Sequence, residues 1–506
     1  MPRRNNVKKP NYAGCWKPGI FISTAAVFIV LYVLYLPPMP GIADQGDFQR
    51  IMDVTGLKDV KNNTADRDVR FFHYVTTDYE MTPVNLLRFS GLVPTTSMIY
   101  PIAVAKAVCT FMGKAHFSTK ILAVVYSFLY ITLLCVCLKW CGIKDLSTFF
   151  FISLLSLFIL LDGNYLIWFN SLYGESMMII GLLMFIASVL YAVKKTKPVG
   201  FKEAFFIFAA SFLFLGAKLQ CITALPPVLY IITKTFPFYN RPLRLNKFRC
   251  ITAFIPVLLL FYTGGIYAQM NKTTGVDTKY NSVFYGILKN SNNPEKDLEL
   301  LGLSGDLAVD AGKHAYLPDN EYVTYIPWSE ITEKEFNQKI SNMKLIKFYL
   351  TQPDRLLKAM EYTASKSFQT ASLLGKYEKA DVSEFSNQFR RFTLWSDFRN
   401  SFFPKKLAFI IPFFSIALFV LLIEYKKQKG CREARFRIEL LLVITAIGIL
   451  QFPMPYLGNG EADTAKQLFL FNYIFDIMII VSCTWAFHKL KKGYTAKLLN
   501  RSINTN

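Results

Sequence analysis

The feature that most constrains this chain is the spacing of its apolar residues, which fall in blocks of about twenty separated by short charged links. A block of that length crosses a bilayer as a helix, and in hydrocarbon only helices and closed barrels satisfy their own backbone. The chain therefore reads as an all-α, polytopic membrane protein. The blocks predict about ten spans, near 19 to 38, 118 to 138, 146 to 162, 176 to 193, 203 to 217, 221 to 233, 250 to 268, 405 to 423, 437 to 456 and 467 to 487. The first block, Gly19 to Pro38, is too long for the core of a secretion signal and lacks a small-x-small cleavage site, so it is expected to remain as an anchor.

A formal net charge of +22 would suggest a nucleic-acid partner in a soluble chain. Here the basic residues sit between apolar blocks rather than on one binding face, which makes them topology determinants. Alternate links hold Arg3, Arg4, Lys8, Lys9 and Lys17; Lys139 and Lys144; Lys194, Lys195 and Lys197; and Arg241, Arg244, Lys247 and Arg249. The same alternation continues with Lys426, Lys427, Lys429, Arg432 and Arg435, then Lys489, Lys491 and Lys492. By the positive-inside rule these links are cytoplasmic, with both chain ends inside a cell membrane. Nine cysteines, among them Cys135, Cys137 and Cys141, lie mostly in or beside apolar blocks without metal-ligand spacing, so neither a disulfide framework nor a zinc site is expected.

The stretch 95 to 112 is apolar but short, and Pro101 and Lys106 interrupt it. Counting it as a span would place every later basic cluster outside, so it is expected to lie on the outer surface as an interfacial helix. The expected organisation is a cytoplasmic 1–18, a membrane domain 19–268 with a first external loop 39–117, an external domain 269–404, C-terminal spans over 405–487 and a cytoplasmic tail 488–506. The 269–404 domain reads as mainly helical. Thr332 and Glu335 suggest a capping box, followed by Phe336, Ile340, Met343, Ile346 and Leu350 at helical spacing. No internal repeat or low-complexity segment is found.

Four external links carry the residues with chemistry. The first loop opens with PMPGIADQGDFQRIMDVTGL, where Asp44 and Asp47 flank a glycine turn beside Arg50 and ahead of Asp53. Carboxylates held at a membrane surface serve as bases or cation ligands, and clustering raises at least one pKa; the plainer alternative is a solvated turn whose carboxylate caps a helix starting near Phe48. DGNYLIWFNSLYGES supplies Asp162, Asn170, Tyr173 and Glu175, although Trp168 and Tyr173 equally suit an interfacial aromatic belt. GAKLQC puts Lys218 and Gln220 in a very tight link, where Lys218 needs a phosphate or carboxylate partner or else snorkels to headgroups. GNGEADTAKQ adds Glu461, Asp463 and Lys466. The substrate-binding candidates are therefore Lys218, Gln220, Arg50, Glu175, Asn170, Tyr173, Glu461, Asp463 and Lys466. Such a set suits a lipid-linked anionic substrate better than a transport path, which places ionisable groups near the midplane. Inside the spans, Asp476 with Asn472 one turn earlier reads as a structural pair rather than a proton relay.

A first span leading straight into a long external loop with early acidic residues resembles the GT-C class of integral membrane glycosyltransferases. The segments ADQGDFQR (43–50), NSLYGES (170–176), NSVFYGILKNSNNPEKDLELLGL (281–303) and GNGEADTAKQLFLFN (458–472) are similar to those of bacterial membrane hexose transferases of glycan biosynthesis. The resemblance implies transfer of a sugar from a polyprenyl-phosphate donor to a cell-envelope glycan or lipid acceptor at the external face, with inversion. It makes Asp47 or Asp44 the catalytic base, and Lys218, with Lys466 or Arg50, the phosphate ligand. A monophosphate leaving group is served by lysine and arginine alone, so no organic cofactor and no obligatory metal is expected, a divalent cation staying open because no clear DxD is present. Competing readings are a lipid-linked sugar transporter or flippase, a polysaccharide polymerase or ligase, and a receptor or scaffold acting through 269–404.

Overall fold

The computed structural model describes residues 16–60, 69–83, 95–194, 200–239, 247–272 and 274–504. Of the residues that set the expected orientation, Arg3, Arg4, Lys8, Lys9, Lys195, Lys197, Arg241 and Arg244, with the side chains of Lys17, Lys247 and Arg249, lie outside the described residues.

The chain is mostly helical, and every apolar block becomes a helix. Among the described residues six helices are long and apolar enough to cross a membrane: Thr119–Trp140, Glu175–Lys194, Ala253–Asn271, Leu407–Lys427, Arg432–Asn459 and Phe469–Ala496. A seventh crossing is possible if Leu146–Leu160 and Gly163–Phe169, bent by 57° at their junction, count as one broken span. The three remaining blocks form Trp16–Val30 extended by Leu31–Tyr35, Phe201–Leu215 and Leu225–Tyr239. The last two have 15 residues each, about 22 Å of helix at a rise of about 1.5 Å per residue and short of a hydrocarbon core of about 30 Å.

The break after Leu160 is a sequence-coded turn. Asp162 accepts from the backbone N–H of Asn164 and, through its other oxygen, from that of Ser396, so the chain leaves one helix and starts another inside the protein. The link expected to face water is therefore interior, with Trp168 and Tyr173 only 1% and 2% exposed. Aromatics with a polar handle suit an interfacial belt and a buried core alike, which is why composition could not separate the two.

The region that follows the first helix is built on backbone ties. Pro37 and Pro38 end the first helix, and the Arg391 guanidinium donates to the carbonyls of Leu36, Pro37 and Pro38. Gly41 and Ala43 donate to the carbonyls of Lys376 and Gly375. Phe48–Thr55 then buries Phe48, Ile51 and Met52 and stops at Gly56 with φ 66°. Ile99–Phe111 buries Ile99, Ile102, Ala105 and Cys109 and exposes Val104, Val108 and Phe111, the two-faced pattern of a surface-lying helix. Lys106, read above as an interruption, donates to the carbonyls of Thr55, Gly56 and Thr82 at 3.0–3.1 Å, closing the end of the 48–55 helix. The all-α reading needs one correction: Leu57–Asp59, Asp78–Met81 and His116–Ser118 pair as a three-stranded antiparallel sheet. Strands this short carry too few residues for a period-two pattern to register.

The 269–404 region divides in two. Residues from Tyr280 to Ala359 share a core of their own with Tyr456, around Phe284, Leu298 and Phe336. Leu374, Phe389 and Trp395 instead join the core of the membrane helices. The expected capping box is shifted: Ser329 caps, accepting from the backbone of Thr332. The expected stripe also breaks. Phe336 and Ile340 are buried, but Ser341 starts a new helix that buries Leu345, Phe348 and Tyr349 and leaves Met343, Ile346 and Leu350 exposed.

Candidate functional site

The basic ends of the helices meet at one end of the bundle, where Lys491 pairs with Asp145 at 2.7 Å and Lys489 with Glu424 at 3.2 Å. The candidate links meet elsewhere, around the loop that follows the first helix.

Asp44 is 2% exposed. Its Oδ1 accepts from the backbone N–H of Gly46 at 2.8 Å and of Phe48 at 3.2 Å. It is thus the carboxylate that holds the start of the 48–55 helix, the capping role set out above. Gly46 lies at φ +101° with no atom near its missing side chain, a turn that a glycine adopts freely. That turn brings Asp47 out into the open, its side chain 42% exposed, where Oδ2 accepts from Lys466 Nζ at 2.7 Å.

Lys466 is the centre of the cluster. Its side chain is 10% exposed, 3.7 Å from Asp463 and 5.0 Å from the centre of the Tyr173 ring. Tyr173 is buried beneath it, donating to the carbonyl of Ala43 and accepting from the backbone of Gln45, which in turn donates through its side chain to Asp463. Burial pushes the Asp47 carboxyl up, but Lys466, then Arg50 and Lys218, hold it well below its ordinary range. Burial likewise pushes Lys466 down, and Asp47, Asp463 and Glu175 raise it above the usual lysine value. Arg50 contributes through this field; it makes no ion pair among the described residues.

The second pair is Lys218 and Glu175, 2.6 Å apart, with the lysine 17% and the glutamate 0% exposed. Glu175 Oε2 has no partner among the described residues. Glu175 is therefore the buried counter-ion of Lys218 rather than a group on the open surface. Gly174 permits the approach: a Cβ there would sit 3.0 Å from the carbonyl of Ala217.

Two expected ligands hold the architecture. The Asn170 amide donates to the Pro40 carbonyl and accepts from Thr119, at 2% exposure, and pins the start of the loop. Gln220 donates to Gln451 and to the Gln467 carbonyl, tying the 216–224 link to two other elements. Glu461 accepts from Lys289 at 2.5 Å and Asn290 at 2.7 Å and also lines the cleft that opens beside Lys466. Asp476 is paired, but not with Asn472: it accepts from Tyr165 and ion-pairs with Arg399, both ends fully buried. Asn472 instead binds the backbone of Phe368 and Gln369.

Beside Lys466 opens a cleft of about 620 Å³, within the range of about 300–1,000 Å³ usual for small-molecule sites. Its lining includes Gln45, Asp463 and Lys466, the aromatics Trp168 and Phe469, and the amides of Asn164, Gln369 and Asn400. The residues from the 366–400 segment were not singled out in the sequence. Their only signal there is the polar run KSFQTAS (366–372), set among apolar neighbours.

The described family of YfdI N-terminal transmembrane domains has a model that matches residues 4–504. No curated protein and no solved structure matches the chain.

Proposed function

The chain belongs to the family of YfdI N-terminal transmembrane domains, and we propose that it is a GT-C-type glycosyltransferase of about ten spans that takes a sugar from a polyprenyl-phosphate donor. The observation that carries this reading is the Asp47–Lys466 pair at an amide- and aromatic-lined cleft to which Lys466 contributes, with Lys218 and its partner Glu175 near enough for their charges to act on that pair. The cluster lies away from the basic helix ends, which on the positive-inside rule puts it on the external face of a cell membrane, with both termini cytoplasmic.

In this mechanism the acceptor hydroxyl gives its proton to Asp47 while its oxygen attacks the anomeric carbon. The bond from that carbon to the phosphate oxygen breaks, the configuration inverts, and polyprenyl phosphate departs with its charge held by Lys466 and Lys218. Held by its lysine, Asp47 is a weak base. A donor phosphate that draws Lys466 away both removes that pull and adds a negative charge nearby, and each change raises the basicity of Asp47. Donor binding thereby switches on the base. A transporter reading would look to Asp476 as its intramembrane ionisable group, but that carboxylate is taken up by Arg399 and Tyr165.

The test is transfer from a defined polyprenyl-phosphate hexose to an acceptor in proteoliposomes, comparing the wild-type protein with Asp47→Asn. Transfer by the wild type and its loss in the variant support the reading. Absence of transfer with every hexose donor tried, or unchanged turnover in the variant, overturns it.

A further inference from the structure

Two residues that line the cleft carry buried polar atoms without partners among the described residues. Asn164 is 2% and Trp168 1% exposed; Asn164 Oδ1 and Trp168 Nε1 have no hydrogen-bond partner among the described residues, and both residues line the cleft. They stand four residues apart on the continuous helical segment Gly163–Leu166 and Ile167–Phe169, so they share one face. Leaving such groups unsatisfied is costly, and both residues belong to the lining of a cavity.

The pair has a defined chemistry. Asn164 Oδ1 only accepts and the indole N–H only donates. The Asn164 amide nitrogen is already spent on Ser396 Oγ at 2.8 Å, which fixes the oxygen as the atom on offer. A phosphate or carboxylate at neutral pH has no proton for Asn164, and a cation has no lone pair for Trp168. An alcohol hydroxyl meets both demands.

We infer that Asn164 and Trp168 form the hydroxyl-reading subsite for the sugar ring of the donor, with Lys466, which lines the same cleft, taking its phosphate. This rests on the transferase reading above and assigns within it which residues recognise the sugar.

The experiment uses the full-length chain in detergent and reads saturation-transfer NMR with free glucose, galactose and mannose, and with the 1-phosphate of whichever binds. Wild-type protein is expected to bind at least one free hexose. Trp168→Phe keeps an aromatic ring but removes the donor, and is expected to weaken binding by about tenfold. Asn164→Leu is expected to do the same, and should it fail to fold, Trp168→Phe carries the test alone. Lys466→Met is expected to weaken binding of the sugar phosphate. No hexose binding by the wild type, or wild-type affinity in Trp168→Phe, overturns the subsite. Transfer from polyprenyl-phosphate hexose, assayed on the same preparation, judges the transferase reading separately.

Discussion

Lys466 donates to Asp47 at 2.7 Å across 419 residues of sequence, joining the loop after the first helix to the link before the last. Asp44, three residues earlier, is spent on backbone N–H groups, so the two aspartates should respond differently to the same change. Asp47→Asn is expected to lower turnover by about 10²–10⁴-fold with donor binding kept. Asp44→Asn retains an acceptor oxygen and should keep most turnover, whereas Asp44→Ala loses the cap at a cost of about 0.5–2 kcal/mol. Steady-state kinetics and thermal melting of the three variants separate base from cap; equal kinetic losses in Asp44→Asn and Asp47→Asn would refute the assignment.

The same pair predicts an acid limb. The folded-state pKa of Asp47 is depressed from its ordinary 3.8. Its stabilising contribution is therefore present in full above that ordinary value and is lost as pH falls through the lower, folded one. The melting temperature of the wild type should exceed that of Lys466→Met by a constant margin from neutral pH down to about 5, and the margin should shrink below about 4. A margin that grows on acidification would contradict the pairing.

Much of this site was legible because charge in an apolar chain has few places to go. Lys218 stood out as a lysine in a very tight link that needs a phosphate or carboxylate partner, and in the structure Glu175 is that partner. What could not be read was which carboxylate stays exposed, since Asp44 and Asp47 differ only in how a single glycine turn directs them. The helices were legible from block length alone. The broken helix at Asp162, the three short strands and the return of 366–404 onto the bundle depend on contacts such as Ser396 to Asp162 across 234 residues, for which no local pattern exists.

Topology follows from the basic helix ends and can be read with one native thiol. Cys431 is exposed and sits among the Lys and Arg residues between two long helices. Leu300 is 51% exposed beside the separate core formed by residues 280–359. A membrane-impermeant maleimide applied to intact cells is expected to label Leu300→Cys and to reach Cys431 only after permeabilisation. Labelling of Cys431 from outside would invert the map.

Arg399 and Asp476 form an ion pair in which neither side chain is exposed, joining the 366–404 segment to the last long helix. Removing one partner strands a buried charge, so Arg399→Met and Asp476→Asn are each expected to cost about 3–5 kcal/mol, while a double change to leucine costs less than either. Denaturation in mixed micelles reads the difference. Additive losses in the double variant would show that the two charges do not support each other.

Lys218 poses the sharpest question, because one side chain is asked to neutralise Glu175 and to bind phosphate. Glu175 is fully buried and already has one oxygen without a partner among the described residues, so Lys218→Met alone strands a carboxylate and should destabilise the protein by about 3–5 kcal/mol. Loss of donor binding in that variant would be ambiguous. Pairing it with Glu175→Gln removes both charges together and is expected to restore most of the melting temperature. If Lys218 touches the donor phosphate, the double variant should fold yet still bind the donor at least tenfold more weakly, since a charge-assisted hydrogen bond contributes about 1.5–3 kcal/mol. If its only task is to neutralise Glu175, donor affinity should return with stability. Measuring both quantities on the same double variant decides between the two, and recovery of affinity would leave Lys466 as the phosphate ligand.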